Sequence, residues 1–132
     1  MARTAVAYSN LAGNASTADP AGTTIDSTLV TNGVRVANAV PEETVIRVTN
    51  SAGATKVVTV GAGTYPPALA AGQGTITGTV PATTGVLWFG PFESGRVLAM
   101  ANTAGVITGD LNVDFASGTT GTITVFRVPR GV

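Results

Sequence analysis

The chain contains no histidine and no cysteine, and only 11% of its residues are charged. Each shortage closes off chemistry. Without cysteine there are no disulfides, no thiolate metal sites and no thiol nucleophiles. Without histidine, Ser–His and Cys–His nucleophilic pairs are impossible, and so is the side chain that titrates nearest neutral pH. A zinc site would rest on carboxylates alone, which is rare. The sole lysine, Lys56, lies in a strand-like stretch, so a Ser–Lys dyad has little support. Its expected role is a solvent-facing or edge charge that discourages unwanted pairing.

Charge of either sign is scarce as well. Seven basic residues balance seven acidic ones, for a net charge of zero. Nucleic-acid binding and a polybasic membrane contact both need a basic excess, so neither is expected. Aromatics make up 5% of the chain, and the core must come from Val, Ile, Leu and Ala. No apolar run approaches the roughly 18–20 residues of a membrane span. The opening Met1-Ala2-Arg3-Thr4-Ala5-Val6 lacks the apolar stretch of a signal peptide, which gives the expectation of synthesis in the cytoplasm without export. Asn14-Ala15-Ser16 fits a glycosylation acceptor, but the unexported reading outweighs it.

What is present is pleated-sheet material. The chain has 132 residues, one domain's worth, and 17 of them are glycine. Between the glycines, Val, Ile or Thr alternates with a polar partner. Residues 3–8 read as a first strand, and Val34 and Val36 as another. Thr44–Thr49 is the clearest early strand, and Asn50-Ser51-Ala52-Gly53 is a turn with Lys56–Val60 as its hairpin partner. Thr75–Val80 and Asp110–Phe115 alternate, Gly85–Phe89 is a bulky run that ends at Gly90-Pro91, and Gly121–Val128 closes the domain, with Arg96–Met100 and Gly105–Thr108 weaker. This makes about eight or nine short strands at the spacing of an antiparallel sandwich or barrel. No segment sustains a 3.6-residue apolar period. Ala68–Ala71 has room for one helical turn between Pro67 and Gly72.

Residues 9–33 differ from the rest. They are rich in Ala, Ser, Thr, Asn and Gly, with turn signals at Asp19-Pro20 and Asn32-Gly33. Two readings compete: a long loop on the chain's own surface, or an arm laid on a neighbouring molecule. Long irregular segments are often functional.

Several constellations invite a chemical reading. Asp110, Asn112 and Asp114 have the spacing that opens a calcium loop, but the positions needing Gly and an acid hold Phe115 and Gly121. As a strand, the same run puts three polar residues on one face and Leu111, Val113 and Phe115 on the other. Glu42-Glu43 reads as a solvated strand entrance, because adjacent side chains in extended chain point apart. Glu93 and Arg96 fit an ion pair across the turn that starts at Pro91-Phe92, or a subunit contact. Trp88, Phe89 and Phe92 form one aromatic cluster, with Trp88 and Phe89 on opposite faces of a strand. One of them fills the core and the other is available to a partner. Arg127 and Arg130 near the end are too few for a nucleic-acid arm.

Four stretches together resemble a known group. They are ARTAVAYSNL near the start, VPEETVIRVTNSAG at 40–53, GVLWFGPFESGRV at 85–97 and LNVDFASGTTGTITVFRVPR at 111–130. They resemble small capsid decoration, or cement, proteins encoded among the head genes of tailed actinobacterial bacteriophages. The resemblance implies a β-rich homotrimer on the outer capsid surface of the virion, clamping neighbouring copies of the major capsid protein.

The expectation is therefore a single all-β domain spanning residues 1–132. It is an antiparallel β-sandwich of jelly-roll type, with residues 9–33 as an extended N-terminal segment. It has no enzymatic activity, cofactor, metal or small-molecule substrate. Candidate contact residues in the N-terminal segment are Tyr8, Leu11, Ile25 and Leu29. In the central stretch they are Trp88, Phe89, Phe92, Glu93 and Arg96. At the end they are Arg127 and Arg130. Other readings are a carbohydrate- or receptor-binding module of a tail or fibre, a subunit that builds a lattice by itself, and, with least support, an enzyme.

Overall fold

The structure, a computed structural model, describes residues 3–63, 74–103 and 106–129. It is an all-β fold with short helical insertions. Strands β1 (Thr4–Ala5), β2 (Tyr8–Asn10) and β3 (Thr23–Thr24) precede helix α1 (Ser27–Asn32) and β4 (Val34–Val36). A 3₁₀ turn (Pro41–Glu43) leads into β5 (Thr44–Asn50), β6 (Lys56–Val60), β7 (Ile76–Val80) and β8 (Gly85–Phe89). Helix α2 (Ser94–Val97), β9 (Leu98–Thr103), β10 (Val106–Phe115) and β11 (Thr122–Arg127) follow.

The strands form two sheets. A six-stranded sheet has the order β1-β4-β10-β6-β7, with β9 also on β10; a five-stranded sheet has the order β2-β11-β5-β8, with β3 also on β11. Both are mixed, which corrects the all-antiparallel expectation. Strand β1 runs parallel to β4, and β2 runs parallel to β11. The expected first strand over 3–8 is in fact β1 and β2, one in each sheet.

Alternation explains how the sheets meet. Along β5 every second residue is buried, so Thr44, Ile46, Val48 and Asn50 turn inward. Ile46, Val48, Ile123 and Val125 of one sheet share a single core cluster with Val34, Val36, Val58, Val60, Leu111 and Val113 of the other. Each such side chain contributes about 1.5–3 kcal/mol through burial.

The hairpin expected between β5 and β6 does not form. Strand β5 pairs with β11 and β8, whereas β6 pairs with β10 and β7. The turn at residues 50–55 is real, but it carries the chain from one sheet to the other. Buried Asn50 ties it down: its Nδ2 donates to Ala54 O at 2.9 Å and Pro81 O at 3.0 Å, and its Oδ1 accepts from Ala52 N at 2.9 Å. Lys56 therefore lies on an interior strand, not at an edge, and its Nζ donates to Ser117 O at 2.9 Å. The two weak candidates near residue 100 also change. Arg96 lies in α2; of the expected strand Gly105–Thr108 the described part, 106–108, continues into Asp110–Phe115 as one strand, β10, and Gly105 lies outside the described residues. The possible turn at Ala68–Ala71 lies outside the described residues.

Residues 9–33 pack on their own chain. Asp26 caps α1 by accepting from Leu29 N at 3.0 Å. Gly33, at φ +81°, ends the helix, and its N–H donates to Leu29 O at 2.8 Å. The helix is too short to show a period in sequence. Its Leu29 and the preceding Ile25 are nevertheless buried in the common core. Strand β3 hydrogen-bonds to β11. Between β2 and β3 the chain runs irregularly over the outer face of the five-stranded sheet.

Candidate functional site

The pleat of β5, β8 and β11 sets one row of outward side chains. Arg47 lies opposite Trp88 on one side and opposite Thr124 on the other, with Phe126 opposite Val45 one step along. Trp88 and Phe126 stack with ring centroids 5.7 Å apart and planes 22° apart. The Arg47 guanidinium carbon lies 5.8 Å from the Trp88 ring centroid and 5.5 Å from that of Phe126, within cation–π range.

Arg47 is also the anchor of the irregular segment. Its Nη1 pairs with Asp19 Oδ1, and its Nη2 donates to Pro20 O at 3.0 Å and Thr124 Oγ1 at 3.2 Å. Its Nε is buried without a hydrogen-bond partner. The segment thus forms one wall of an open groove of about 520 Å³, and Trp88 and Phe126 form the other. Leu11, Val45 and Val128 add apolar lining, so the groove is an apolar trough with one neutralised ion pair at its rim.

The aromatic cluster divides as the alternation predicts for Trp88 and Phe89. Trp88 is 56% exposed, while Phe89 is buried. Phe92 is buried too, and its N–H donates to Pro41 O at 3.0 Å. Phe89, Phe92, Ile25 and Leu29 are therefore corrected from contact candidates to core residues, because each buries its side chain within its own chain. Phe126, absent from the candidates, is central to the site. Its alternation with Val125 marks it as outward-facing, but its cover comes from tertiary packing.

The remaining candidates serve different local purposes. Tyr8 Oη accepts from Val40 N at 2.9 Å and lies 2.6 Å from Thr44 Oγ1. Thr44 Oγ1 gives its only hydrogen to Val40 O at 2.7 Å, so the tyrosine hydroxyl donates to Thr44. Leu11 joins the aromatic groove to a smaller, polar cleft of about 320 Å³ beside Arg127 and Glu43. There Arg127 Nε lies 3.3 Å from Glu43 Oε1. Glu43 is thus engaged by a cation and is more than a solvated strand entrance. Arg130 lies outside the described residues.

Glu93 and Arg96 meet through backbone only, Arg96 N donating to Glu93 O at 3.0 Å. The ion pairs among the described residues include Arg3–Asp114, Arg35–Asp110, Arg47–Asp19 and Arg127–Glu43, and none joins Glu93 to Arg96, so the expected side-chain pair does not form.

The acidic run follows the strand reading. Leu111, Val113 and Phe115 are buried, whereas Asp114 makes a two-pronged contact with Arg3 at 2.8 and 3.2 Å. Asp110 lies 3.5 Å from Arg35. Among the described residues no three metal-ligating side chains gather in one place.

Comparison with family models, with curated proteins and with solved structures found no match.

Proposed function

We propose that this chain is a non-enzymatic structural protein of a virus particle, a decoration or cement protein on the outside of a bacteriophage head. In this reading it binds the major capsid protein as a homotrimer. Its two sheets act as the layers of a rigid sandwich of jelly-roll type. The observation that carries the reading is the solvent-facing pair Val86 and Trp88 on a chain of zero net charge. A large exposed aromatic braced by stacking is a common anchor of protein interfaces. Internal use of charge adds support, since Arg3, Arg35, Arg47 and Arg127 all engage carboxylates of the same chain. Many weak apolar contacts repeated by capsid symmetry give strong overall attachment. The resemblance of four long stretches to phage decoration proteins points the same way.

The test mixes purified protein with particles that lack it. The expected result is co-sedimentation with the particles and greater heat resistance of the shell. A protein that stays in the supernatant overturns the reading. A second reading, a carbohydrate- or receptor-binding module of a tail or fibre, draws on the Trp88 groove with Asp19 and Arg47 at its rim. Binding on a glycan array, abolished by Trp88→Ala, would favour it over the first.

A further inference from the structure

Strand β8 is an edge of the five-stranded sheet. Among the described residues β5 is the only strand hydrogen-bonded to it, and no turn or loop hydrogen bond reaches its backbone. An open edge is a template for another strand, and proteins normally blunt one with Lys, Pro, a bulge or extreme shortness. The edges formed by β1 and β2 are short, at two and three residues. The β7 edge turns Thr77 and Thr79 outward. Strand β8 has no such protection. It reads Gly85-Val86-Leu87-Trp88-Phe89, and no charged residue occurs from Pro81 to Phe92. Its outward residues, Val86 and Trp88, are 48% and 56% exposed.

We infer that β8 pairs with β8 of a second copy of this chain, antiparallel about a two-fold axis through Leu87. The register argues for a second copy over a foreign strand. With Leu87 opposite Leu87, Val86 of each copy faces Trp88 of the other, so both exposed residues are covered twice by one operation. Neither strand brings a charge to oppose the other, and the neighbouring Arg47 is already neutralised by Asp19.

The extent of the edge sets the strength. Its five residues span about 17 Å. With two exposed side chains, it falls short of the about 800 Å² per partner of a stable complex. The pairing is therefore a weak equilibrium that grows with concentration. A two-fold contact cannot close a trimer. The inference is thus independent of the trimer in the proposed function; a copy paired through β8 has Val86 and Trp88 covered, so the pairing belongs to free protein and competes with any attachment through those two side chains.

Sedimentation velocity of the whole chain from about 1 µM to about 1 mM tests this. Two double variants accompany it, V86E with W88E and V86K with W88K. Val86 and Trp88 lie outside the buried core, so each variant should keep its strand content by far-ultraviolet circular dichroism, although the substitutions at Trp88 remove its stack on Phe126. In the two-fold register, position 86 of one copy faces position 88 of the other, so each variant sets like charges against one another. Each variant alone should lose the two-fold step, with association at least about tenfold weaker. Mixing the two brings carboxylates opposite ammonium groups and should restore the step as a one-to-one pair. Absence of a two-fold step in the unsubstituted protein, a two-fold step that survives in the glutamate variant, or folded variants that fail to pair when mixed would each overturn the inference. A three-fold step is read separately: its absence counts against the trimer alone.

Discussion

Arg47 concentrates more interactions than any other described side chain at the site. It holds Asp19 and Pro20, reaches Thr124 and lies over two aromatic rings. Replacing it with alanine should cost about 1–2 kcal/mol. The more telling effect is local. Amide hydrogens of residues 12–20 should exchange faster, because the side-chain hydrogen bonds described for that stretch end on this guanidinium. Trp88, the only tryptophan, should report the loss of its cation by a change in fluorescence. Unchanged exchange in the segment would show that something else holds it. Tyr8→Phe is the second residue-level prediction. It strips the acceptor from Val40 N–H and the donor from buried Thr44, and should lower stability by about 1–2 kcal/mol in thermal melts. A melt unchanged to within a degree would mean that water replaces the hydroxyl.

The two strands of the aromatic site should respond very differently to substitution. Ile46 is fully buried on β5, which pairs on both sides, so Ile46→Ala should cost about 2–5 kcal/mol in denaturant unfolding. Val86→Thr, on the outward face of β8, should stay within about 0.5 kcal/mol. Equal losses would mean that β8 is covered in the folded chain. These elements were legible in sequence to different degrees. Alternation located β5, β6, β7, β8 and β11 closely, because burial on one face imposes a period of two. Partnership was not legible. The turn after Asn50 announces a change of direction, and nothing local says whether the next strand stays in the same sheet. Helix α1 escaped the period test because only Leu29 of its six residues is buried. Its Asp26 cap and the glycine after Asn32 were the available signals. At the site, Trp88 and Phe89 were correctly set on opposite faces. Arg47 meeting Asp19 across 28 positions of chain was beyond any local pattern.

The whole molecule is organised by long-range pairing, which should make folding slow. Strand β10 joins β4, β6 and β9, and β11 joins β2, β3 and β5. Sheets dominated by distant partners fold in milliseconds to seconds, so stopped-flow refolding followed by Trp88 fluorescence should fall in that range. A microsecond phase carrying the full amplitude would contradict the topology. The position of β11 late in the chain has a further consequence during synthesis. As the nascent polypeptide leaves the ribosome, β2, β3 and one side of β5 wait for a partner that is made after all of them. Neither sheet closes before β10 and β11 have emerged, so the fold forms as one event after them. A product that stops short of β11 leaves β2, β3 and one side of β5 unpaired and open to proteases.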